Sequence, residues 1–547
     1  MKSRIKQKTF TQSMSWLHTW CGLLLGWVLF AIFLTGTLAV FDRELNWWMQ
    51  PEIERSALDQ AAAATTAQRW LEEQHSHEQN WNIGLPTERS PSLTVSVGEQ
   101  RRGGGTLLHP ETGEELKARE TAGGSFFFRF HYTLHMPRNI GIWAVGFAAM
   151  AMLVALISGI VIHKKIFKEF FTFRPAKGQR SWLDGHNASA VLLLPFHLMI
   201  TYTGLVIFFL IYMPAALDAL YDGDRQAMQR DLRGGGAQQM QAARGEGQVA
   251  RGEGRGENAQ GRGAGGAERA GGGRPPRAEN TAQAAPMLPL SEFIARGEAH
   301  YGAGMLSGLA VSNPGRADAR VTVRPLLGSR IELTKGEQMV FDGVTGKVLQ
   351  APPVSGPSQL TQRVMAGLHF AQFGGYPMRW LYFICGLVSC AMIATGLVHY
   401  TVKQRKQAKG SRRFLNIVER LNVATVSGLS LACVAMLWSN RLLPAELAGR
   451  NAWEIRVFFA VWLASLAHAA LRPVMGAWRE QIAAVALLCI GLPVLDLATG
   501  FSADGLRLGV DGTALILGVL LLWTGRKIPA TTASAARKSP RLMEAAT

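Results

Sequence analysis

The chain has 547 residues, of which 48% are hydrophobic, and its formal net charge is +18. Its apolar residues form long uninterrupted runs, which excludes an ordinary soluble domain and is typical of an integral membrane protein. All five cysteines lie inside these runs, so the segments between the runs cannot be held together by disulfides.

Eight apolar runs are long enough, or nearly long enough, to cross a bilayer. They fall at about 16–41, 139–162, 187–213, 377–402, 421–439, 455–471, 480–498 and 510–525. The last three are short or interrupted by Pro493. We therefore predict a mainly α, polytopic helical membrane protein with about eight spans, for which the lipid bilayer is the first partner.

The basic residues predict the orientation of these spans. They cluster at the start of the chain, after the second and fourth spans, and at Arg526 and Lys527 after the eighth. Because short loops rich in Lys and Arg stay in the cytoplasm, both termini are predicted to be cytoplasmic. The segments 42–138 and 214–376 then face the periplasm of a bacterial inner membrane. The first span lacks a small-residue cleavage site before Asp42, so we expect it to remain as a helix.

A Gly- and Arg-rich stretch at 245–277 lies in the second outside segment. It lacks the interleaved aromatic residues on which single-stranded nucleic acids stack. Topology already explains much of the positive charge. We therefore predict no nucleic-acid partner and interpret 223–286 as a disordered insertion.

Residues 1–402 contain two copies of one unit. His18 precedes Thr35-Gly36 by seventeen residues, and His186 precedes Thr203-Gly204 by the same number. Each copy then continues with a helix-like stretch and a strand-rich end, which predicts a small α+β domain outside the membrane. The predicted organisation is a first helix at 1–41, an outside domain at 42–138, helices two and three at 139–213, a second outside domain at 214–376, helix four at 377–402, and a C-terminal region with helices five to eight at 403–547.

Further histidines recur at matching places. Each outside segment closes with Leu-His before the next span, at His135 and His369, and the following spans end at His163 and His399. A single interfacial histidine is most simply a snorkelling or capping residue, but recurrence in both copies indicates a shared role. His197 lies in mid-span, where an unpartnered ring is costly, and on one helix it would share a face with His186, eleven residues before it. A packing role stays open for His197.

Paired histidines on opposing helices are typical of haem b. The iron takes axial imidazoles, and the flat ring fills a slot between apolar walls. Zinc is a competing use of histidine, but the sequence contains neither H-E-x-x-H nor C-x-x-C. It also lacks a convincing G-x-G-x-x-G after a strand, so we predict no dinucleotide fold.

Several motifs resemble those of the PepSY-associated transmembrane proteins, and especially the iron-regulated inner-membrane group that includes ferric-siderophore reductases. The matching stretches are WLHTWCGLLLG, LHMPRNIGIW, SGIVIHKKIFKEFFTFRP, DGHNASAVLLLPFHLMITYTG and GLHFAQFGG. The resemblance covers about residues 10–402. It implies four core helices, two PepSY-like periplasmic domains, and two haems b held by histidines.

The resemblance also implies which histidines bind the cofactor. The positions that match the family's motifs are His18, His135, His186, His369, His163 and His197. We predict that His135 pairs with His369 near the outer face. His18, His163 or His186 would form the site near the inner face.

The resemblance implies electron transfer across the membrane to a periplasmic acceptor, most simply a ferric siderophore, since reduction to Fe(II) weakens a hard-oxygen chelate. No reductase domain is fused, so a separate donor such as quinol or a cytoplasmic reductase is expected. Two alternatives are a non-redox PepSY binding or regulatory protein and a siderophore or iron permease. The sequence assigns no role to spans five to eight.

Overall fold

The computed structural model describes residues 9–55, 58–98, 105–163, 178–212, 283–328, 330–334, 337–352, 354–407, 411–500 and 504–528. Most of the insertion predicted at 223–286 lies outside the described residues. The helices, in chain order, are α1 (Phe10–Ala39), α2 (Asp42–Trp48), α3 (Gln60–His75), α4 (Gly123–Thr133), α5 (Arg138–Ile162), α6 (Gln179–Leu192), α7 (Leu194–Ile207), α8 (Phe209–Tyr212), α9 (Leu290–Tyr301), α10 (Pro357–Phe370), α11 (Gly375–Gln407), α12 (Arg412–Leu442), α13 (Arg450–Leu471), α14 (Val474–Gly500) and α15 (Gly505–Arg526). The strands are β1 (Asn80–Gly84), β2 (Leu93–Val97), β3 (Thr106–Leu108), β4 (Leu306–Ser312), β5 (Arg320–Pro325), β6 (Met339–Asp342) and β7 (Val348–Gln350).

The predicted membrane architecture is confirmed. Among the described residues, seven helices are long and apolar enough to cross a membrane, and a bent pair makes up to eight. The seven are α1, α5 and α11 to α15, and the pair is α6 with α7. Each lies at one of the eight apolar runs found in the sequence. The protein is therefore a mainly helical, multi-pass membrane protein.

The third span is two helices rather than the single helix predicted. α6 and α7 meet at Leu193 with a bend of 66°. Pro195 explains the break, because it has no N–H to donate and its ring clashes with the carbonyl of the preceding turn. His186 and His197 therefore lie on different helices, and the prediction that they share one straight helix face is wrong.

The two outside segments join in one sheet, which the sequence did not predict. Its strand order is β3-β2-β1-β4-β5-β6-β7, and every neighbouring pair is antiparallel. At its centre β1 pairs with β4, the corresponding strand of the second copy, with Asn82 opposite Ala310. This antiparallel pairing relates the two copies by an approximate twofold axis.

One face of the sheet carries the core of this region. Trp81, Ile83, Leu309 and Val311 alternate with more exposed residues along β1 and β4, and they pack with α3 and α9. The turns in the strand-rich part of each outside segment have glycines with φ of 79° at Gly113 and 71° at Gly346. Glycine adopts this left-handed conformation without a steric cost.

The last four spans form a helical group beside the first copy. α12 contains a π-helical turn at Ala424–Gly428 that contacts α1, and α15 packs against α2. Aromatic side chains of α13 pack against α4, as in the contact of Phe130 with Phe458. The C-terminal group therefore contacts helices that connect the sheet to the first and second spans, α2 and α4.

Candidate histidine-ligand sites

Two imidazole rings meet at the end of the bundle that carries the sheet. They belong to His131 in the last turn of α4 and His369 in the last turn of α10, and we call them the sheet-side pair. Their ring centroids lie 6.0 Å apart, with 32° between the ring planes. The two short helices occupy corresponding places in the two copies, each between the sheet and a span. The repeat thus places one histidine from each copy at the same site.

A backbone carbonyl of a neighbouring span orients each ring of the sheet-side pair. The His131 Nδ1 lies 2.8 Å from the carbonyl oxygen of Ile32 on α1, and the His369 Nδ1 lies 3.0 Å from that of Ile200 on α7. The hydroxyl of Thr203 lies 3.1 Å from the same His369 nitrogen. Because a carbonyl oxygen only accepts, Nδ1 carries the proton in both rings, and Nε2 keeps its lone pair in the neutral form.

A second pair of rings lies toward the opposite end of the bundle. It consists of His18 on α1 and His186 on α6, and we call it the far-side pair. The ring centroids are 6.2 Å apart, with 69° between the planes. The His18 Nδ1 donates to the carbonyl of Ala155 at 2.8 Å, and the His186 Nδ1 donates to that of Met392 at the same distance. The far-side pair therefore has the same tautomer as the sheet-side pair.

Each of the four rings packs against a different glycine of a neighbouring span. Each accepting carbonyl lies four residues before a glycine of the same span. A Cβ built on those glycines would lie 2.5 Å from the His131 ring at Gly36, 2.9 Å from His369 at Gly204, 3.4 Å from His18 at Gly159 and 3.0 Å from His186 at Gly396. Three of these distances are shorter than, or at the limit of, close van der Waals contact, so a larger residue would displace the ring. The glycines of the Thr-Gly motif that marks the repeat, Gly36 and Gly204, therefore contact the rings of the sheet-side pair.

His135 does not occupy the place predicted for it. It follows α4 with a left-handed φ of 59°, and its ring contacts Phe126 and Phe459, with centroids 5.7 and 5.4 Å away. His131, four residues earlier, faces His369 instead. The reason is that α4 ends at Thr133, and the left-handed turn that follows directs the His135 ring toward α13. The predicted pairing of His135 with His369 is therefore corrected to His131 with His369.

At the predicted inner site the structure brings His18 and His186 together. Two further histidines lie near them. His163, which caps the end of α5, and His399 on α11 are both close enough to the His186 ring for their charges to interact. His163 also interacts in this way with His18. The predicted residues His18, His163 and His186 thus lie in one region of the structure. Of these three, His18 and His186 have their rings in direct contact.

His197 is fully buried but does not belong to either pair. Its Nε2 lies 2.9 Å from the hydroxyl oxygen of Ser389 on α11. Ser389 donates its own proton to the carbonyl of Cys385, so it accepts the hydrogen bond from His197. With Nε2 committed as a donor, the lone pair of the ring lies on Nδ1, which is buried and has no hydrogen-bond partner among the described residues.

The protonation state of the sheet-side pair follows from burial. Removal from water and, to a smaller extent, the neighbouring His131 together lower the pKa of His369 to about 3. Burial also lowers the pKa of His131. Both imidazoles are therefore neutral near pH 7, which is the form that can ligate a metal.

The fold and the sites define a class of protein. It is a multi-pass helical membrane protein made of two copies of a span, sheet and span unit, with a histidine pair toward each end of the bundle.

The family model described as the PepSY-associated TM region matches residues 15–403, and the chain belongs to this family. The resemblance to the PepSY-associated transmembrane proteins is thereby confirmed. No match to a curated protein was found. The helices α12 to α15 lie beyond the matched residues.

Proposed function

We propose that this protein is a dihaem b electron carrier that passes electrons across the inner membrane to a periplasmic ferric siderophore. The observation that carries the proposal is the pair of facing imidazoles toward each end of the bundle, with rings 6.0 and 6.2 Å apart and with no Nε2 of the four hydrogen-bonded to a described residue. His131 and His369 would hold the periplasmic haem. His18 and His186 would hold the cytoplasmic one.

The ring separations fit two imidazoles that would hold one haem, His131 with His369 and His18 with His186. Metal–imidazole bonds of about 2 Å on both sides of a metal, with each ring centre about 1 Å beyond its nitrogen, place the two centres about 6 Å apart. Haem, when bound, supplies an iron that carries one electron by changing between Fe(III) and Fe(II).

The residues around the rings fit this role as well. Carbonyls that hold Nδ1–H fix the tautomer and the ring orientation, as outer-shell partners of metal-bound histidines do. Gly36 and Gly204 leave room for the rings of the sheet-side pair, and Gly159 and Gly396 do so for the far-side pair. An anchoring span would have no need of this arrangement, so it favours ligation over a purely structural role.

The two pairs are separated along the membrane normal. On α1, His18 and the Ile32 carbonyl that orients His131 are fourteen residues apart, which is about 21 Å of helix. Two carriers at this separation let electrons cross the hydrocarbon region without a charged group moving through it, which would be costly. The sheet stands at the receiving end, where the acceptor would bind.

The acceptor and the donor follow from chemistry. Fe(III) in a siderophore is held by hard oxygen ligands, and reduction to Fe(II) weakens this chelate and releases the metal. The donor would be a separate molecule, quinol or a cytoplasmic reductase, since the chain carries no nucleotide-binding motif of its own.

Electron transfer across a sealed membrane tests the proposal. Vesicles that contain the purified protein are loaded with a ferric siderophore and an Fe(II) indicator, and an impermeant reductant is added outside. We expect the Fe(II) indicator to respond inside vesicles with the protein and not inside protein-free vesicles. If the chelate crosses the membrane without a reductant, the protein is a permease. If Fe(II) does not form although the haems are reduced, the proposed acceptor is wrong.

A further inference from the structure

The helix that carries His131 has no cap of its own. The N-cap residue of α4 is Ala122, whose side chain cannot accept a hydrogen bond. The first backbone N–H groups of a helix have no partner within the helix, so they need acceptors from elsewhere. The stability of this eleven-residue helix therefore depends on neighbouring elements.

A residue of the C-terminal spans supplies the missing cap. One carboxylate oxygen of Glu454 on α13 accepts from the Ala122 N–H and from the Thr121 hydroxyl, both at 2.8 Å. Thr121 in turn accepts from the Gly123 N–H at 3.0 Å. Asn46 on α2 accepts from the Gly124 N–H at 2.7 Å. A carboxylate at this end also interacts favourably with the helix dipole.

Glu454 is itself held rigidly inside the C-terminal group. Its second carboxylate oxygen lies 2.5 Å from Arg450, and both side chains are fully buried. The same oxygen accepts from the side-chain amide of Asn440 on α12 at 2.7 Å. A buried, fully paired carboxylate has a fixed position, so it can fix the helix that it caps.

Aromatic packing attaches the rest of α4 to the same spans. Phe126 and Phe130 pack on Phe458 of α13 with ring centroids 4.9 and 5.6 Å away, and Phe130 also contacts Trp462. Phe130 immediately precedes His131. The C-terminal group thus holds both the start of α4 and the turn that carries the imidazole.

The corresponding helix of the second copy is anchored differently. In α10 the Arg363 side chain donates to the carbonyl of Leu333 at 2.6 Å and to the hydroxyl of Ser355 at 2.5 Å, both in its own outside segment. The second copy thus fixes His369 through its own outside segment, whereas the first copy takes the cap of its ligand helix from α13.

We infer that α12 to α15 act as a clamp that positions α4, and that Glu454 is the positioning residue that keeps His131 opposite His369. These spans lie beyond the residues shared with the family, so they are an addition that serves one ligand of one site. The part of this inference that concerns the haem rests on the proposed function.

The substitution Glu454→Gln tests the inference in the full-length protein. Glutamine has one acceptor oxygen, so it cannot serve both Arg450 and the start of α4. We expect hydrogen exchange in residues 123–133 to become about five- to tenfold faster, as for the loss of one helix cap, with residues 357–370 unchanged. The electron paramagnetic resonance signal of the sheet-side haem should shift while that of the far-side haem stays. Leu463→Ala, on the exposed side of the same helix, is the matched control.

A milder variant guards against a folding defect. Thr121→Val removes the hydroxyl that links Glu454 to the Gly123 amide, and it leaves the Arg450 pair intact. It should change the same two readouts in the same direction by a smaller factor. Unchanged exchange in residues 123–133 in both variants overturns the inference. If the wild-type protein holds no haem, the proposed function fails, and the exchange experiment still decides whether the clamp exists.

Discussion

The proposed function predicts that the substitution His131→Ala removes one of two haems and that His135→Ala leaves both in place. His131 faces His369 at 6.0 Å between ring centroids, with Nδ1 fixed by the carbonyl of Ile32, so its loss would leave His369 alone to hold the proposed sheet-side haem. Among the described residues, the only rings in contact with the His135 ring are those of Phe126 and Phe459. Haem content per purified chain, with the spectrum of the reduced protein, measures the difference.

The two variants control for each other, because they lie four residues apart at the end of the same helix. We expect about half of the haem to remain in His131→Ala and the wild-type amount in His135→Ala. Loss of haem in His135→Ala with full retention in His131→Ala would restore the pairing expected from the sequence and refute the one seen in the structure.

The proposed function predicts that the substitution His186→Ala stops electron transfer from the far side while the sheet-side haem is retained. The His186 ring faces His18 at 6.2 Å and is oriented by the carbonyl of Met392. Without it His18 alone would be left to hold the proposed far-side haem, and electrons would no longer enter by this route. In loaded vesicles we expect Fe(II) formation to fall to the level of protein-free vesicles, while half of the haem remains.

His197→Leu is the control for this prediction. His197 lies on the same broken span and is fully buried, but its Nε2 is committed to Ser389. We expect some loss of thermal stability, since the hydroxyl of Ser389 loses a buried partner, and unchanged haem content. A haem-free His197→Leu protein that is otherwise folded would make His197 a ligand after all.

The spans and the repeat could be predicted because they depend on local patterns. Long apolar runs locate membrane helices, and the equal spacing from His18 to Gly36 and from His186 to Gly204 marks two copies of one unit. The break at Leu193 was also visible in principle, because Pro195 follows it within one turn. The long apolar run around this proline nevertheless favours a single helix.

The identity of the sheet-side ligand could not be predicted in the same way. His131 and His135 lie in one short motif, and the choice between them depends on where α4 ends and on the left-handed turn at Leu134. Such an end is set by tertiary contacts, here the packing of Phe130 on Phe458. The joining of the two outside segments through β1 and β4 depends likewise on long-range pairing.

A reduced-minus-oxidised absorption spectrum of the detergent-purified protein, with pyridine haemochrome quantitation, tests the central claim most directly. The histidine pairs predict two b-type haems per chain, both low-spin with two imidazole ligands. A folded protein that carries no haem, although it was purified from haem-replete cells, would contradict the account and leave the paired histidines as packing residues.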